Sequence, residues 1–278
     1  MLMAMRTSIN YLILALALPA CAPAPPAPAA APPAAASFPA GPLVDLSHAY
    51  EAQSIFWPTA EPFRLDKVAD GVTPAGYYYT SNNFFSSEHG GTHMDAPVHF
   101  AQGSHTADQV PLDRLVGPAV VIDVTDAARQ NADYQVTVAD LQAWELRHGQ
   151  IEPNVILLIR TGFSLHWPDA GRYLGTTERG PGAVPKLHFP GLHPDAARWI
   201  GASRPVRAIG IDTASIDYGQ SSLYESHRTL YATNIPAFEN LTSLEQLPAR
   251  GASIVALPMK IKGGSGAPLR AIAILPAR

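Results

Sequence analysis

The sequence has a single cysteine, Cys21, and this scarcity limits the chemistry open to the protein. One thiol can form no internal disulfide and cannot build a cysteine-rich zinc site, so any metal must be held by nitrogen and oxygen ligands. Charged residues are also scarce, at 15% of the chain, and no basic cluster or basic amphipathic stretch is present. Binding of nucleic acid or of a membrane surface by the main part of the chain is therefore not expected.

An apolar run long enough to cross a bilayer is missing as well. The run at residues 9–18 follows Arg6 and is far shorter than the roughly 20 residues that a spanning helix needs. A short apolar run behind a positive charge is typical of a signal peptide, which we predict for residues 1–21. The run ends in Leu-Pro-Ala-Cys, which resembles a bacterial lipobox with Cys21 as the lipidated residue, although its proline departs from the usual pattern.

Residues 22–40 consist almost entirely of alanine and proline, a composition that favours extended polyproline geometry and cannot build a core. We predict that they form a tether between a lipid anchor and the rest of the chain. About 238 residues remain from Gly41 onward, enough for one large domain at residues 41–278. Without the signal peptide the chain carries 18 basic and 23 acidic residues, a net charge of −5. The sequence thus predicts an exported protein of the periplasm or cell envelope.

Strand and helix signals alternate along this domain. Thr137, three residues before Asp140, predicts the N-terminal cap of a helix that ends at Gly149, and Pro194 predicts the first turn of a second helix. The segments Tyr77–Tyr79 and Phe84–Phe85 predict an aromatic-rich strand pair that leads into the next motif. Apolar segments predicted as further strands are residues 43–46, 119–123, 155–160, 206–211, 254–257 and 269–275. This alternation predicts an α/β domain with a mainly central sheet flanked by helices.

Four metal-competent side chains lie close together at His89, His93, Asp95 and His99. Their spacing first suggests a zinc-binding helix, but two glycines and a proline in the same stretch argue against a helix. In an extended strand all four odd-numbered residues would point to one side, and Gly91 would leave space beside them. Imidazole and carboxylate groups that converge on one point are the ligands of a divalent metal, and we predict such a site here.

Residues 89–100, with the sequence H-G-G-T-H-M-D-A-P-V-H-F, resemble the signature of the cyclase family of metal-dependent hydrolases. That family includes the bacterial kynurenine formamidases and the isatin hydrolases. The pair Trp57–Pro58 and the residues D-T-A-S-I-D at 212–217 extend the resemblance over about residues 43–276. It implies a single domain with the swivelling β/β/α fold of the family, and we also expect a homo-oligomer.

The resemblance implies one or two Mn²⁺ or Zn²⁺ ions per subunit and assigns their ligands. Asp95 would bridge two ions, with His89 and His93 on the first ion and His227 and Glu239 on the second. Isatin hydrolases are similar, but they use one manganese ion and different partner residues in the region of His227 and Glu239. Gln220 is the candidate extra ligand for that alternative.

Two further residues have roles that the sequence leaves open. His99 could be a fourth ligand or a free base, because Pro97 can redirect the chain. We assign it as the acid/base residue, as the resemblance implies, since His89, His93 and Asp95 already form a three-ligand set with an open position. Trp57 is either part of a substrate pocket, as the resemblance implies, or an ordinary packing residue.

The resemblance implies hydrolysis of a small aryl or cyclic amide, such as an N-formyl aryl amide or isatin. The alternatives are a non-catalytic metal- or ligand-binding lipoprotein, and a lyase or dehydratase that uses the same ion. A binding protein needs no proton-transfer group, so the presence of His99 favours catalysis. The segment Gly263–Ala267 nearly matches a nucleophile elbow but lacks its last glycine, and we interpret it as a glycine-rich loop beside the site.

Overall fold

The computed structural model describes residues 41–277, so the predicted signal peptide, Cys21 and the predicted tether lie outside the described residues. The strands are β1 (Leu43–Asp45), β2 (Arg64–Val72), β3 (Tyr78–Phe85), β4 (His93–Asp95), β5 (Val116–Asp123), β6 (Gln135–Val136), β7 (Ile156–Arg160), β8 (Gly191–Leu192), β9 (Ala208–Ile211), β10 (Ala237–Glu239), β11 (Arg250–Pro258) and β12 (Gly266–Ile274). The helices are α1 (Leu112–Leu115), α2 (Thr125–Gln130), α3 (Val138–His148), α4 (Ala170–Leu174), α5 (Pro194–Ser203) and α6 (Glu225–Tyr231). Single 3₁₀ turns occur at Pro97–His99, Phe163–His166, Pro181–Lys186 and Leu244–Gln246.

An eight-stranded mixed sheet organises the described part of the chain, in the order β1-β12-β11-β5-β7-β9-β10-β4. Strands β5, β7, β9 and β10 run parallel to one another, and the remaining pairings are antiparallel. Strand β4 also pairs with β12, which curls the sheet into a barrel-like arrangement. The predicted α/β domain with a central sheet is therefore confirmed.

The parallel part of the sheet is buried on both faces. Along β7, Ile156 and Leu158 point into one core, while Leu157 and Ile159 point into a second core. The second core includes side chains of α3, α5 and α6. A strand covered on both faces must be apolar at every position rather than at alternate ones. This explains why β7 reads as a continuous run of isoleucine and leucine.

The two predicted helices are confirmed. Thr137 and Asp140 form a complete capping box, in which the Thr137 backbone N–H donates to the Asp140 carboxylate at 2.7 Å. Helix α3 ends where Gly149 adopts a positive φ of 84°. Helix α5 has Pro194 in its first turn, as the sequence predicted. None of the helices within residues 41–277 combines the length and apolar character that a membrane crossing requires.

One predicted pairing is wrong. The aromatic segments Tyr77–Tyr79 and Phe84–Phe85 do not face each other as two strands, because Tyr78–Phe85 form the single strand β3 and Tyr77 immediately precedes it. Its partner is β2, which the sequence analysis did not identify. Strand β2 mixes charged residues, a glycine and scattered apolar residues, and a bulge shifts its register near Val68, so it shows no clear alternation.

Candidate metal centre

The segment from His89 to His99 is not the continuous strand that its spacing suggested. Only β4, at His93–Asp95, is a strand, and a 3₁₀ turn follows at Pro97–His99. Gly91 has a positive φ of 59°, which turns the chain immediately before β4. The four side chains therefore converge because two turns fold them towards one point, and not because they share one face of a strand.

The predicted reason for Gly91 is also wrong. A Cβ atom at this position would lie 2.6 Å from the ring of Tyr50, so a side chain rather than a ligand fills the space beside it. The Tyr50 hydroxyl lies 2.9 Å from the Gly90 carbonyl and 2.6 Å from the Thr92 carbonyl. Tyr50 therefore holds the turn that delivers His93 to the site.

Strand β4 brings its residues against two other strands. His93 lies opposite Glu239 of β10, and Asp95 lies opposite Gly266 of β12. A Cβ atom on Gly266 would come within 2.5 Å of the His89 ring, so this glycine permits the close approach. The glycine-rich loop therefore lies beside the site, as predicted.

Asp95 is the centre of a buried cluster of imidazoles and carboxylates. Its Oδ1 lies 2.7 Å from His89 Nδ1 and 3.1 Å from His93 Nε2, and its Oδ2 lies 3.5 Å from His227 Nε2. Glu239 lies 3.1 Å from His227 Nε2 and 3.5 Å from His93 Nε2. His227 and Glu239, which only the family resemblance singled out, are both buried beside Asp95.

Hydrogen bonds outside the cluster turn two imidazoles inward. The Nδ1 of His93 lies 2.9 Å from the Gly91 carbonyl, which can only accept, so this nitrogen carries the proton. In the same way the Nδ1 of His227 lies 2.5 Å from the Asp217 carboxylate. Both Nε2 atoms therefore point into the cluster, as they do in histidines that ligate metals, and each would offer a lone pair once a metal ion displaced its proton.

This arrangement fits a divalent cation. The Nε2 of His93 is fully buried and makes no hydrogen bond, although carboxylate oxygens lie 3.1 Å and 3.5 Å away. A buried polar atom without a hydrogen-bond partner is costly, and a nitrogen that faces anionic oxygens needs a positive charge there, either its own proton or a metal ion. A cation coordinated by His93, Asp95 and Glu239 would satisfy all three groups.

The electrostatics of the cluster agree with this geometry. Burial acts to raise the pKa of Asp95, but His89, His227 and His93 outweigh it and hold that pKa well below its usual range. Burial and the charge of Asp95 raise the pKa of Glu239. Against the effect of burial, the two carboxylates also raise the pKa of His93. The cluster therefore stabilises positive charge at its centre, and a metal ion would have to displace protons.

Two overlapping sets of side chains each place three ligand atoms within 4.8 Å of one another. The first set is His89, Asp95 and His99, and the second is His93, Asp95 and Glu239. Asp95 belongs to both sets, as expected of a bridging carboxylate. However, the structure groups His93 with Glu239, whereas the resemblance had grouped His93 with His89.

His99 lies at the edge of the cluster. Its ring stacks on that of His89 at a centroid distance of 3.8 Å, and its Nε2 is 3.9 Å from Asp95 Oδ2. Burial lowers the pKa of His99 to about 4 although the Asp95 carboxylate acts in the opposite direction. The ring is therefore neutral at pH 7 and keeps a lone pair that can accept a proton.

The sequence analysis missed several residues that position the cluster. Ser265 Oγ lies 2.8 Å from His89 Nε2 and donates to the Glu88 carboxylate at 2.6 Å. The hydroxyl of Tyr231 donates to Asp95 Oδ2 at 2.9 Å. Asp217 orients His227 and is the last residue of the D-T-A-S-I-D motif, so that motif was its signal. Ser265 and Tyr231 stand in no comparable motif.

A cavity of about 320 Å³ opens over the cluster. Trp57 lines it, with edge contacts to Phe189 at 6.4 Å and to Tyr224 at 6.5 Å, so it is both a packing and a cavity residue. The lining residues include the aromatic side chains Phe56, Phe100 and Tyr224 and the cluster residues His89, His93, Asp95, His99, His227 and Glu239. Small, aliphatic and polar residues complete the lining: Ile55, Thr59, Ala60, Gly90, Ala214, Ser215 and Asn240. The cavity therefore has aromatic walls above a polar, acidic floor.

Gln220 is not brought to the site. Its side-chain amide donates to the carbonyls of Pro185, at 3.3 Å, and Leu187. The residue does not line the cavity. The alternative ligand proposed for a one-metal site is thus held elsewhere by backbone hydrogen bonds.

Together the fold and the site define an α/β protein with a buried imidazole–carboxylate metal centre at the floor of an aromatic cavity. The family model described as "Putative cyclase" matches residues 44–218, more than half of the chain. The chain belongs to this cyclase family, whose signature the sequence resembles. The matched residues include His89, His93, Asp95 and His99. His227 lies outside the matched residues, and the structure places it in the site.

Individual relatives agree with the family assignment. The isatin hydrolase of Roseibium aggregatum is 32% identical over 209 residues, which cover 72% of this chain and 77% of that protein. The kynurenine formamidase of Salinibacter ruber is 32% identical over 235 residues, covering 83% of this chain and 96% of the relative. The solved structure of isatin hydrolase A from Ralstonia solanacearum superposes with a TM-score of 0.75 at 36% identity, covering 84% of this chain and 92% of that one.

Proposed function

We propose that the protein is a metal-dependent amidohydrolase that cleaves a small aryl amide. The candidate substrates are a cyclic amide such as isatin and an N-formyl aryl amide such as N-formylkynurenine. Relatives named for each activity support both, and isatin hydrolases occur among both the sequence relatives and the structural neighbours. We therefore favour the cyclic amide.

The observation that carries this proposal is the pair of inward-facing imidazole nitrogens on His93 and His227. They face the oxygens of Asp95 and Glu239 at the floor of the cavity, where a substrate carbonyl can reach them. These side chains are buried, yet they line the cavity, so an ion held between them would lie at the cavity floor. We propose His89, His93, Asp95, His227 and Glu239 as the residues that hold one or two ions.

A bound Mn²⁺ or Zn²⁺ would supply Lewis acidity, which polarises a carbonyl and lowers the pKa of a water. The ligand set contains only nitrogen and oxygen donors and does not by itself select between these two metals.

His99 has the role of proton carrier in this proposal. In hydrolysis, the water oxygen adds to the amide carbonyl carbon and the carbon–nitrogen bond breaks. His99 takes the proton that the water loses and returns it to the leaving nitrogen, so the products are an amine and a carboxylic acid, which releases its proton to solvent at neutral pH. Its neutral ring at the cavity edge can accept that proton. One of its nitrogens also lies within 4.8 Å of ligand atoms of His89 and Asp95, so metal titration of His99→Ala separates this role from that of a ligand.

The aromatic walls suit a flat ring. Trp57, Phe100 and Tyr224 surround the opening, and the rings of Phe100 and Tyr224 lie 5.0 Å apart. Aromatic side chains gain both buried area and favourable ring contacts from a planar aryl substrate. The Tyr77–Tyr79 segment lies on the exposed hairpin of β2 and β3 and does not line the cavity.

We also propose that the domain is attached to the cell envelope through a lipid on Cys21. The basis is the sequence of residues 1–40, with its short apolar run, lipobox-like ending and Ala/Pro-rich continuation. Wild-type protein should partition with membranes after cell fractionation, and Cys21→Ser should not. Identical fractionation of the two forms would contradict this location.

A hydrolysis assay in ¹⁸O-labelled water tests the activity. Metal-free protein reconstituted with Mn²⁺ or Zn²⁺ should open isatin and release one labelled oxygen in the product carboxylate. N-formylkynurenine, assayed in parallel, shows which amide class is preferred. A product without the label would instead indicate a lyase or dehydratase, and turnover that survives chelation would exclude a metal-dependent reaction.

A further inference from the structure

Asn240 lies directly after β10 and joins three segments that build the metal centre. Its backbone has a positive φ of 54°, a conformation that asparagine tolerates better than most residues with a side chain. Its N–H donates to the Thr213 carbonyl at 2.8 Å, and its carbonyl accepts from the Thr92 hydroxyl at 2.7 Å. The backbone of Asn240 therefore connects the end of β10 with the turn after β9 and with the turn before β4.

The side-chain amide of Asn240 reaches the carbonyl that orients His93. Its Nδ2 donates to the Gly91 carbonyl at 2.8 Å, and His93 Nδ1 lies 2.9 Å from the same oxygen. The two nitrogens lie 3.4 Å apart and share this oxygen, whose two lone pairs can accept both hydrogen bonds. The amide therefore holds the acceptor on which the direction of the His93 ring depends.

A buried tyrosine fixes the orientation of this amide. Tyr173 lies on α4, is fully buried, and has no part in the proposed reaction. Its hydroxyl lies 2.8 Å from Asn240 Oδ1 and 3.3 Å from the Asp212 carbonyl, so its one proton is directed to the nearer oxygen. If the amide were turned over, its Oδ1 would face the Gly91 carbonyl, and two acceptors would oppose each other. The hydrogen bonds at both ends therefore select the orientation in which Nδ2 faces Gly91.

We propose that Asn240, fixed by Tyr173, is a positioning residue that directs His93 towards the metal ion; this inference rests on the proposed metal site. The contacts run from Tyr173 through Asn240 and the Gly91 carbonyl to His93, and all three side chains are buried. Outer hydrogen bonds of this kind hold a ligating imidazole in its orientation, and their loss weakens metal binding. Asn240 acts one contact further out, through the carbonyl that accepts from His93.

Isothermal titration of the metal-free full chain with Zn²⁺ or Mn²⁺ tests this role. Glycine adopts a positive φ without strain, so Asn240→Gly removes the amide and leaves the backbone conformation accessible. We expect this change to raise the metal dissociation constant about tenfold, the lower end of the range for outer hydrogen bonds. Tyr173→Phe keeps the amide but removes the bond that fixes its orientation, and it should raise the constant about threefold. Because Tyr173→Phe deletes a single oxygen atom, it tests the proposal independently of whether Asn240→Gly folds.

The double variant distinguishes positioning from a general loss of stability. If Tyr173 acts through Asn240, combining the two changes should raise the dissociation constant no further than Asn240→Gly does alone. Independent effects would instead multiply, to about thirtyfold. Urea unfolding with chelator present measures the stability of each variant separately. A purely structural role would lower that stability and leave the metal affinity of the folded protein unchanged.

Tyr134→Phe is the matched control. Its hydroxyl donates to the Asp140 carboxylate at 2.9 Å, and Tyr134 does not line the cavity, so this variant should bind metal like the wild type. Metal affinity within about twofold of the wild type in Asn240→Gly, or multiplied losses in the double variant, would overturn this proposal alone. A wild type that binds no metal would overturn the proposed metal site and this proposal together, so the two failures are distinguishable.

Discussion

Asp217→Asn tests whether the hydrogen bond behind His227 organises the metal centre. The Asp217 carboxylate lies 2.5 Å from His227 Nδ1, and it accepts the backbone N–H of Ser226 at 3.2 Å and of His227 at 3.1 Å. Burial acts to raise the pKa of Asp217, but His227 outweighs it, so the pKa is lowered and the group is a carboxylate.

An asparagine keeps the size of the side chain but cannot accept at both ends. With its oxygen towards the His227 ring, its NH₂ group faces the backbone N–H of Ser226, which is also a donor. With the opposite orientation, the NH₂ group faces the protonated Nδ1. Loss of such an outer hydrogen bond typically costs 10- to 100-fold in metal affinity, or about 1.4 to 2.7 kcal/mol.

Calorimetric titration of metal-free protein with Mn²⁺ or Zn²⁺ measures this loss. The matched control is Asp133→Asn, which alters a similar pair in which Asp133 lies 2.8 Å from His188 on the surface. Neither residue of that pair lines the cavity, so the control should bind metal like the wild type. The reasoning is refuted if Asp217→Asn binds within about twofold of the wild type, or if the control weakens equally.

Three further results are expected. His99→Ala should lower turnover about 10²- to 10⁴-fold with unchanged metal content by elemental analysis, and metal loss rescued by excess Mn²⁺ would make His99 a ligand instead. Trp57→Ala should raise KM for an aryl substrate about tenfold in steady-state kinetics, because it removes an aromatic wall; an unchanged KM would exclude Trp57 from the pocket. Burial lowers the pKa of His48 to about 4 against the opposing charge of Asp45, so the folded protein binds fewer protons than the unfolded chain as pH falls from about 6.5 to 4. Over that pH range the free energy of unfolding of the wild type should therefore fall by up to about 3 kcal/mol more than that of His48→Phe, whose ring can still stack on Trp167. Urea unfolding with chelator present measures both losses, and equal losses would contradict this.

Local signals predicted much of the fold. The capping box at Thr137 and the proline that begins α5 each lie within a few residues of the helices that they start, so the sequence alone identified them. The parallel strands β7 and β9 were likewise continuous apolar runs, because both faces of that part of the sheet are buried. Strand β2 was missed because its exposure removes the apolar alternation on which such a prediction depends.

The site was predictable only as far as its residues are close in sequence. His89, His93, Asp95 and His99 formed a visible motif, although turns rather than a strand bring them together. Ser265 contacts His89 across 176 residues, and no spacing rule could have connected them. His227 and Glu239 came from the family resemblance, because β10 meets β4 only through strand pairing and α6 only through packing against the turn at Pro97–His99.

The central claim is that the cluster around Asp95 binds a divalent metal on which amide hydrolysis depends. Calorimetric titration of metal-free full chain with Mn²⁺ or Zn²⁺ tests it, with Asp95→Asn compared with Asp126→Asn, whose carboxylate is exposed on α2. We expect the wild type and Asp126→Asn to bind one or two ions, and Asp95→Asn to lose both measurable binding and metal-dependent turnover of isatin. Undiminished metal binding by Asp95→Asn would contradict the account.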